Sequence, residues 1–203
     1  MPEYPKVDQV ATFSRDEVEE AFKHYYLTGP VNEDWVAWAN LFTDDAIYHD
    51  HFWGTFHGPG EILQWIEATI GGAPQCYTAL DWYTVDPNGV VVYRAINRAD
   101  NPEPGGPPFD FPSIQTAFYA GNGKWRGEED WWVMRESKNW GEAYASAAAK
   151  HDPDHASKMT RLDWGTIEWA RPAPGHTPNP SWMREGAKIV HRLKDMDFGE
   201  RNP

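Results

Sequence analysis

A chain of 203 residues, 40% hydrophobic and 24% charged, has the composition of one ordinary globular domain plus an extension, which excludes a disordered or fibrous chain. The formal net charge is −13 and there is no basic stripe to neutralise phosphates, which excludes nucleic acid as a partner. No apolar run is long enough to span a bilayer, the opening MPEYPKVDQV has no signal core, and Cys76 has no second cysteine to bridge, so the expectation is a soluble cytoplasmic protein with no membrane contact.

The unusual count is 12 Trp. Rings of this size fill cores and line apolar pockets, so a bulky hydrophobic ligand is expected.

Residues 1–12 read as a loose arm. Ser14 and Glu17 have capping-box spacing and Phe13 and Val18 staple spacing, so a helix starts here, with Val18, Ala21, Phe22, Tyr25 and Tyr26 on one face. Gly29-Pro30 is expected to end it. Asn32 is expected to cap a second helix, with Glu33 and Asp34 in its first turn and Trp35, Trp38, Ala39 and Phe42 as its stripe. A short strand from about Ala46 to Trp53 is broken by Gly54, and Thr55-Phe56-His57 pairs back. Gly58-Pro59-Gly60 opens a third helix that Gly71-Gly72 stops.

The period then changes to two. Strands are expected over Gln75 to Val85, Val90 to Arg98, Phe111 to Ala120 and Lys124 to Arg135, joined by Asp86-Pro87-Asn88-Gly89, by a Pro-rich loop from Asn101 to Pro108, and by Gly121-Asn122-Gly123. Helices followed by long antiparallel strands indicate an α+β domain over 13–135. Residues 136–203 read as a partly helical extension, a lid or dimer arm, with a helix over Trp140 to Lys150, a Pro-rich linker from Arg171 to Pro180, and a last helix over Trp182 to Lys194.

This order, together with Leu41-Phe42-Thr43-Asp44-Asp45-Ala46, a strand, and Gly54-Thr55-Phe56-His57-Gly58, resembles the SnoaL-like branch of the nuclear-transport-factor-2-like fold over roughly residues 12–135. That branch includes polyketide cyclases; ketosteroid isomerases, scytalone dehydratase and limonene epoxide hydrolase share the fold. The resemblance implies a cone of curved antiparallel sheet on three N-terminal helices, an apolar cavity, a homodimer and no cofactor. It places Asp50 where the isomerase has its general base. Tyr25 or Tyr26 falls where the isomerase has its oxyanion tyrosine, and Gln115 where it has a second acid. Cys76 and Gln115 stand in place of the two dehydratase histidines, so neither mechanism carries over whole.

The residues add their own constraints. A carboxylate in an apolar cavity is a better proton acceptor, which suits Asp50 as a base. Tyr25 and Tyr26 diverge by about 100°, so only one can point at Asp50. That tyrosine, helped by Gln115 or by His49 or His51, would hold a substrate oxygen. Strand alternation sets Tyr48, Asp50 and Phe52 against His49 and His51. Tyr48, Phe52, Trp53, Trp82 and Trp131 are the expected substrate contacts. Three functions follow: a cofactor-independent lyase, isomerase or cyclase acting on a hydrophobic ring compound; a non-catalytic small-molecule-binding or scaffold module; and a metal-assisted enzyme using His49, His51 and His57 with Glu61.

Overall fold

A computed structural model describes residues 4–5, 13–176 and 179–185. Helix α1, Arg15–Tyr26, begins where Ser14 Oγ accepts the Glu17 N–H at 3.1 Å, with Asp16 and Glu17 at the positive end of the helix dipole. Gly29-Pro30 does not stop the chain. A π-helical turn, Leu27–Val31, carries it on, and the Asn32 N–H reaches the Leu27 carbonyl at 3.0 Å. Pro30 has no N–H to give an α-helical ladder, which removes the advantage of regular α geometry there. Gly29 is required by space, since a Cβ would lie 2.4 Å from Trp38 Cδ1.

Helix α2, Trp35–Ala39, is capped by Asp34 rather than Asn32, through a 3.2 Å bond from the Ala37 N–H. Strand β1, Phe42–Asp50, begins earlier than its hydrophobic pattern suggests and stops before His51. Strand β2, Gly54–His57, and helix α3, Gly58–Gly71, follow. Then come β3, Tyr77–Asp86, β4, Val90–Ala99, β5, Phe109–Gly121, and β6, Lys124–Trp132.

The curved sheet has the order β2-β1-β6-β5-β4-β3. The first strand therefore lies beside the last, and the β1–β6 pair is parallel while the other pairs are antiparallel. The sheet is thus mixed rather than wholly antiparallel. At the joint, Gly127 pairs with Ile47, and a Cβ on it would lie 2.0 Å from the Ile47 carbonyl oxygen, so only glycine admits the close approach.

Helix α4, Met134–His151, is longer than Trp140 to Lys150 and rests on β5, where Trp140 Nε1 donates to the Phe109 carbonyl at 2.9 Å. The chain then returns across the helices. Trp164, Ala170 and Trp182 are buried in the same core as α1, α2 and α3. Ser181 binds twice, its N–H to the Glu33 carbonyl at 3.0 Å and its Oγ to Glu67 at 2.7 Å. Trp182 and Met183 lie in a short 3-10 turn, Ser181–Met183, and Arg184 and Glu185 leave it without continuing as a helix; residues 186–194 of the expected last helix fall outside the described residues, as does most of the N-terminal arm. Among the described residues no helix is long and apolar enough to cross a membrane.

Candidate active site

Helices and sheet enclose a cavity of about 240 Å³. Its wall includes Trp35, Trp38, Trp53, Trp65, Trp132 and Trp140, and also the carboxyl groups of Asp50, Glu128 and Asp130. These acids are buried, at 2%, 2% and 8% exposure. Buried carboxyls without a cation must be satisfied by hydrogen bonds or stay protonated.

Strand register brings the polar groups together. Asp50 on β1 faces Asp130 on β6, Gln115 on β5 faces Asp130 from the other side, and Tyr93 on β4 faces Gln115. One step along, Tyr48 faces Glu128. Directly opposed residues share a sheet face, so this set forms a patch in the cavity.

Asp50 only accepts. Its Oδ1 takes the N–H groups of Phe52 at 2.8 Å and Trp53 at 2.7 Å, and its Oδ2 takes the Trp132 indole N–H at 2.8 Å. Burial pushes its pKa up, and these three donors oppose the shift. A carboxylate with three N–H donors is held ionised and aimed, with lone pairs left for an incoming proton.

Glu128 collects phenols. Tyr25 donates to its Oε2, while Tyr93 at 2.9 Å and Tyr48 at 3.0 Å reach its Oε1. Burial raises the pKa of all three phenols, so they stay protonated and donate. Tyr48 Oη also lies 2.7 Å from Asp130 Oδ2. One phenol proton serves one acceptor, so the other contact needs a proton from a carboxyl group. Burial, then repulsion from Glu128 and Asp50, pushes Asp130 well above the ordinary carboxylate range, whereas burial also raises Glu128 but hydrogen bonds from Tyr25, Tyr93, Asp130 and Tyr48 limit the rise. Asp130 therefore holds its proton more tightly than Glu128 and is the donor to Tyr48. Asp130 Oδ1 and Gln115 Oε1 are buried without a hydrogen-bond partner among the described residues. Gln115 Nε2 and Asn97 Nδ2 both donate to Ser113 Oγ, at 2.6 and 3.0 Å.

The SnoaL-like domain family matches residues 20–127, more than half of the chain. The chain belongs to that family. No curated protein matches it. Among solved structures, this SnoaL-like chain is similar to TerC, co-crystallised with polyporic acid, at 14% identity and a TM-score of 0.51, over 62% of this chain and 98% of that one. It is similar to a nuclear-transport-factor-2-like protein of Burkholderia pseudomallei at 14% identity and a TM-score of 0.50, over 61% and 96%. It also resembles a protein of Catenulispora acidiphila with a ketosteroid isomerase-like fold, bound to trimethylamine, at 17% identity and a TM-score of 0.45, over 68% and 94%. Identities this low establish the fold of the SnoaL-like chain and leave its chemistry to be argued from its own residues.

Of the residues singled out in the sequence, Asp50, Tyr48, Trp53 and Gln115 line the cavity. Tyr25 and Tyr26 are fully buried behind it; Tyr25 is held by Glu128, and Tyr26 donates to the Thr78 carbonyl at 2.9 Å. Neither is hydrogen-bonded to Asp50. His49 and His51 lie on the opposite face of β1 and its continuation, His49 2.8 Å from Thr55 Oγ1 and His51 2.8 Å from Glu129. Phe52, Trp82 and Trp131 do not line the cavity and are 48%, 43% and 48% exposed. For Trp131 the reason is parity: Glu128, Asp130 and Trp132 point inward, which turns Glu129 and Trp131 out. Among the described residues no three His, Cys, Asp or Glu side chains are placed to hold a metal ion, so His49, His51, His57 and Glu61 do not converge on one.

The acids missed in the sequence are Glu128 and Asp130. The signal was present as Glu128-Glu129-Asp130 within a half-buried strand, which must put at least one acid inside whichever parity holds.

Proposed function

We propose that this protein is a cofactor-independent lyase, isomerase or cyclase that moves a proton on a hydrophobic ring compound. The observation that carries the reading is a pair of adjacent buried carboxyls with different partners, Asp50 fed only by N–H donors and Asp130 sharing a phenol with Glu128. Asp50 takes a proton from carbon, and the C–H electron pair moves toward a neighbouring carbonyl oxygen. Asp130, exchanging Tyr48 for that oxygen, donates to it. Tyr48, Tyr93 and Tyr25 keep Glu128 anionic without a cation, so Glu128 raises the proton affinity of Asp130. A base and a neutral acid positioned in a dry site each contribute a rate factor of about 10²–10⁴.

The test is exchange in heavy water. Wild type and Asp50→Asn are incubated with cyclic ketones and polycyclic phenols, and deuterium at carbon is read by mass spectrometry. Uptake by wild type and not by Asp50→Asn supports the reading; equal uptake by both refutes it.

The outer sheet face supports a homodimer. Trp82, Arg94, Ile114 and Trp131 are successive register partners across β3, β4, β5 and β6, opposite the cavity. Trp131→Asp then gives a monomer in sedimentation velocity where the wild type gives a dimer.

A further inference from the structure

The cavity wall carries three carboxyl groups, Asp50, Glu128 and Asp130, and among the described residues no cationic side chain. Asp50 and Glu128 are held through N–H and O–H donors alone, and among the described residues no Lys, Arg or His lines the wall. Hydrogen bonds spread a buried charge without cancelling it, and the low-dielectric surroundings leave the field strong. The indole N–H groups of Trp35, Trp38 and Trp65, buried without a partner among the described residues, add donors but no charge. Two acceptor oxygens are also unanswered. Gln115 Oε1 and Asp130 Oδ1 have no donor among the described residues, and their residues are each only 8% exposed. A buried acceptor without a donor costs free energy that a ligand N–H recovers.

Negative field, unanswered acceptors and an aromatic wall favour the same chemistry. An organic ammonium supplies charge and N–H donors together, and indole rings stabilise it further. A carboxylate or phosphate meets like charge and finds no basic partner.

We infer that the cavity's ligand is a ring compound bearing a protonated amine, an N–H of which meets Gln115 or Asp130 while its charge answers Asp50 and Glu128. The inference rests on this cavity being the ligand site and deepens the proposed function by naming the substrate class.

Quenching of tryptophan fluorescence tests it, with the full chain at neutral pH. The probes are N,N-dimethylbenzylamine, protonated under these conditions, its neutral isostere isobutylbenzene, and phenylacetate. The amine is expected to bind at least about tenfold more tightly than isobutylbenzene, the order expected of a desolvated ammonium among aromatic rings, and phenylacetate not to bind. Asp50→Asn is expected to remove most of the amine preference and to leave the isobutylbenzene affinity unchanged. Trp53→Leu, at a partly exposed wall position, is expected to weaken amine binding should Asp50→Asn fold poorly. Equal binding of amine and isostere, binding of phenylacetate as tight as the amine, absence of amine binding, or an amine preference untouched by these variants overturns the inference. The readout needs no turnover. Its failure therefore leaves proton abstraction by Asp50 to the exchange experiment on neutral ketones, and failed exchange leaves the amine preference measurable.

Discussion

Asp50 and Asp130 are register partners on neighbouring parallel strands, yet Asp50 receives only N–H donors while Asp130 shares the Tyr48 hydroxyl with Glu128. Two carboxyls side by side in an apolar cavity do not both ionise readily, and their partners decide which one does. The difference assigns the roles of base and acid.

Asp130→Asn keeps the volume and removes the acidic proton. Turnover is expected to fall about 10²-fold or more while the circular dichroism spectrum stays that of wild type. A steady-state assay on any compound found active by exchange checks it, and wild-type turnover in the variant removes Asp130 from the mechanism.

The same group makes stability depend on pH. The folded state holds the Asp130 proton more tightly than the unfolded chain does, because burial and the Glu128 charge raise its pKa. Above about pH 4 the unfolded chain has released that proton and the folded chain has kept it, so raising the pH favours unfolding until folded Asp130 itself ionises. Burial raises Glu128 and Asp50 as well, and both act in the same direction. Melting temperatures measured from about pH 5 to 8 are expected to fall with pH, and to fall less steeply in Asp130→Asn.

Trp132→Phe removes the indole donor 2.8 Å from Asp50 Oδ2. A hydrogen bond to a charged group is worth about 1.5–3 kcal/mol, so the Asp50 pKa is expected to rise by about one unit or more. Carbon-13 NMR of the aspartate carboxyls reads the shift, and an unmoved Asp50 resonance shows that the indole does not hold the anion.

The returning C-terminal segment belongs to the main core although it lies beyond the family match at residues 20–127. Trp182 is 7% exposed and rests on Gly71, so Trp182→Ala is expected to cost about 3–5 kcal/mol in chemical denaturation. A loss under about 1 kcal/mol is what a loosely attached arm gives.

The element order was legible in the sequence because amphipathic helices and period-two strands leave strong local signals, and the Ser14 cap forms as its spacing suggests. The direction of the β1–β6 pair was not, since no local pattern reports which distant strand lies alongside. Asp50 was legible as a cavity acid through the resemblance that starts from Asp44-Asp45-Ala46, and alternation then turned His49 and His51 away from it. The β6 acids were not, because both faces of that strand carry an acid and a tryptophan, Asp130 with Trp132 and Glu129 with Trp131, so hydrophobicity does not choose between them. Packing at Gly127 and the register with β1 choose instead. The phenols around Glu128 come from α1, β1 and β4, a convergence that exists only after folding. Trp164 and Trp182 were illegible as core because single rings in irregular segments have no period.

Infrared difference spectroscopy of the wild type, Asp130→Asn and Asp50→Asn at neutral pH tests the central assignment most directly. A protonated buried carboxyl has a C=O stretch well separated from carboxylate bands. This band is expected in the wild type and in Asp50→Asn, and its loss is expected in Asp130→Asn. A wild type without the band, or a band lost with Asp50→Asn and retained in Asp130→Asn, contradicts it.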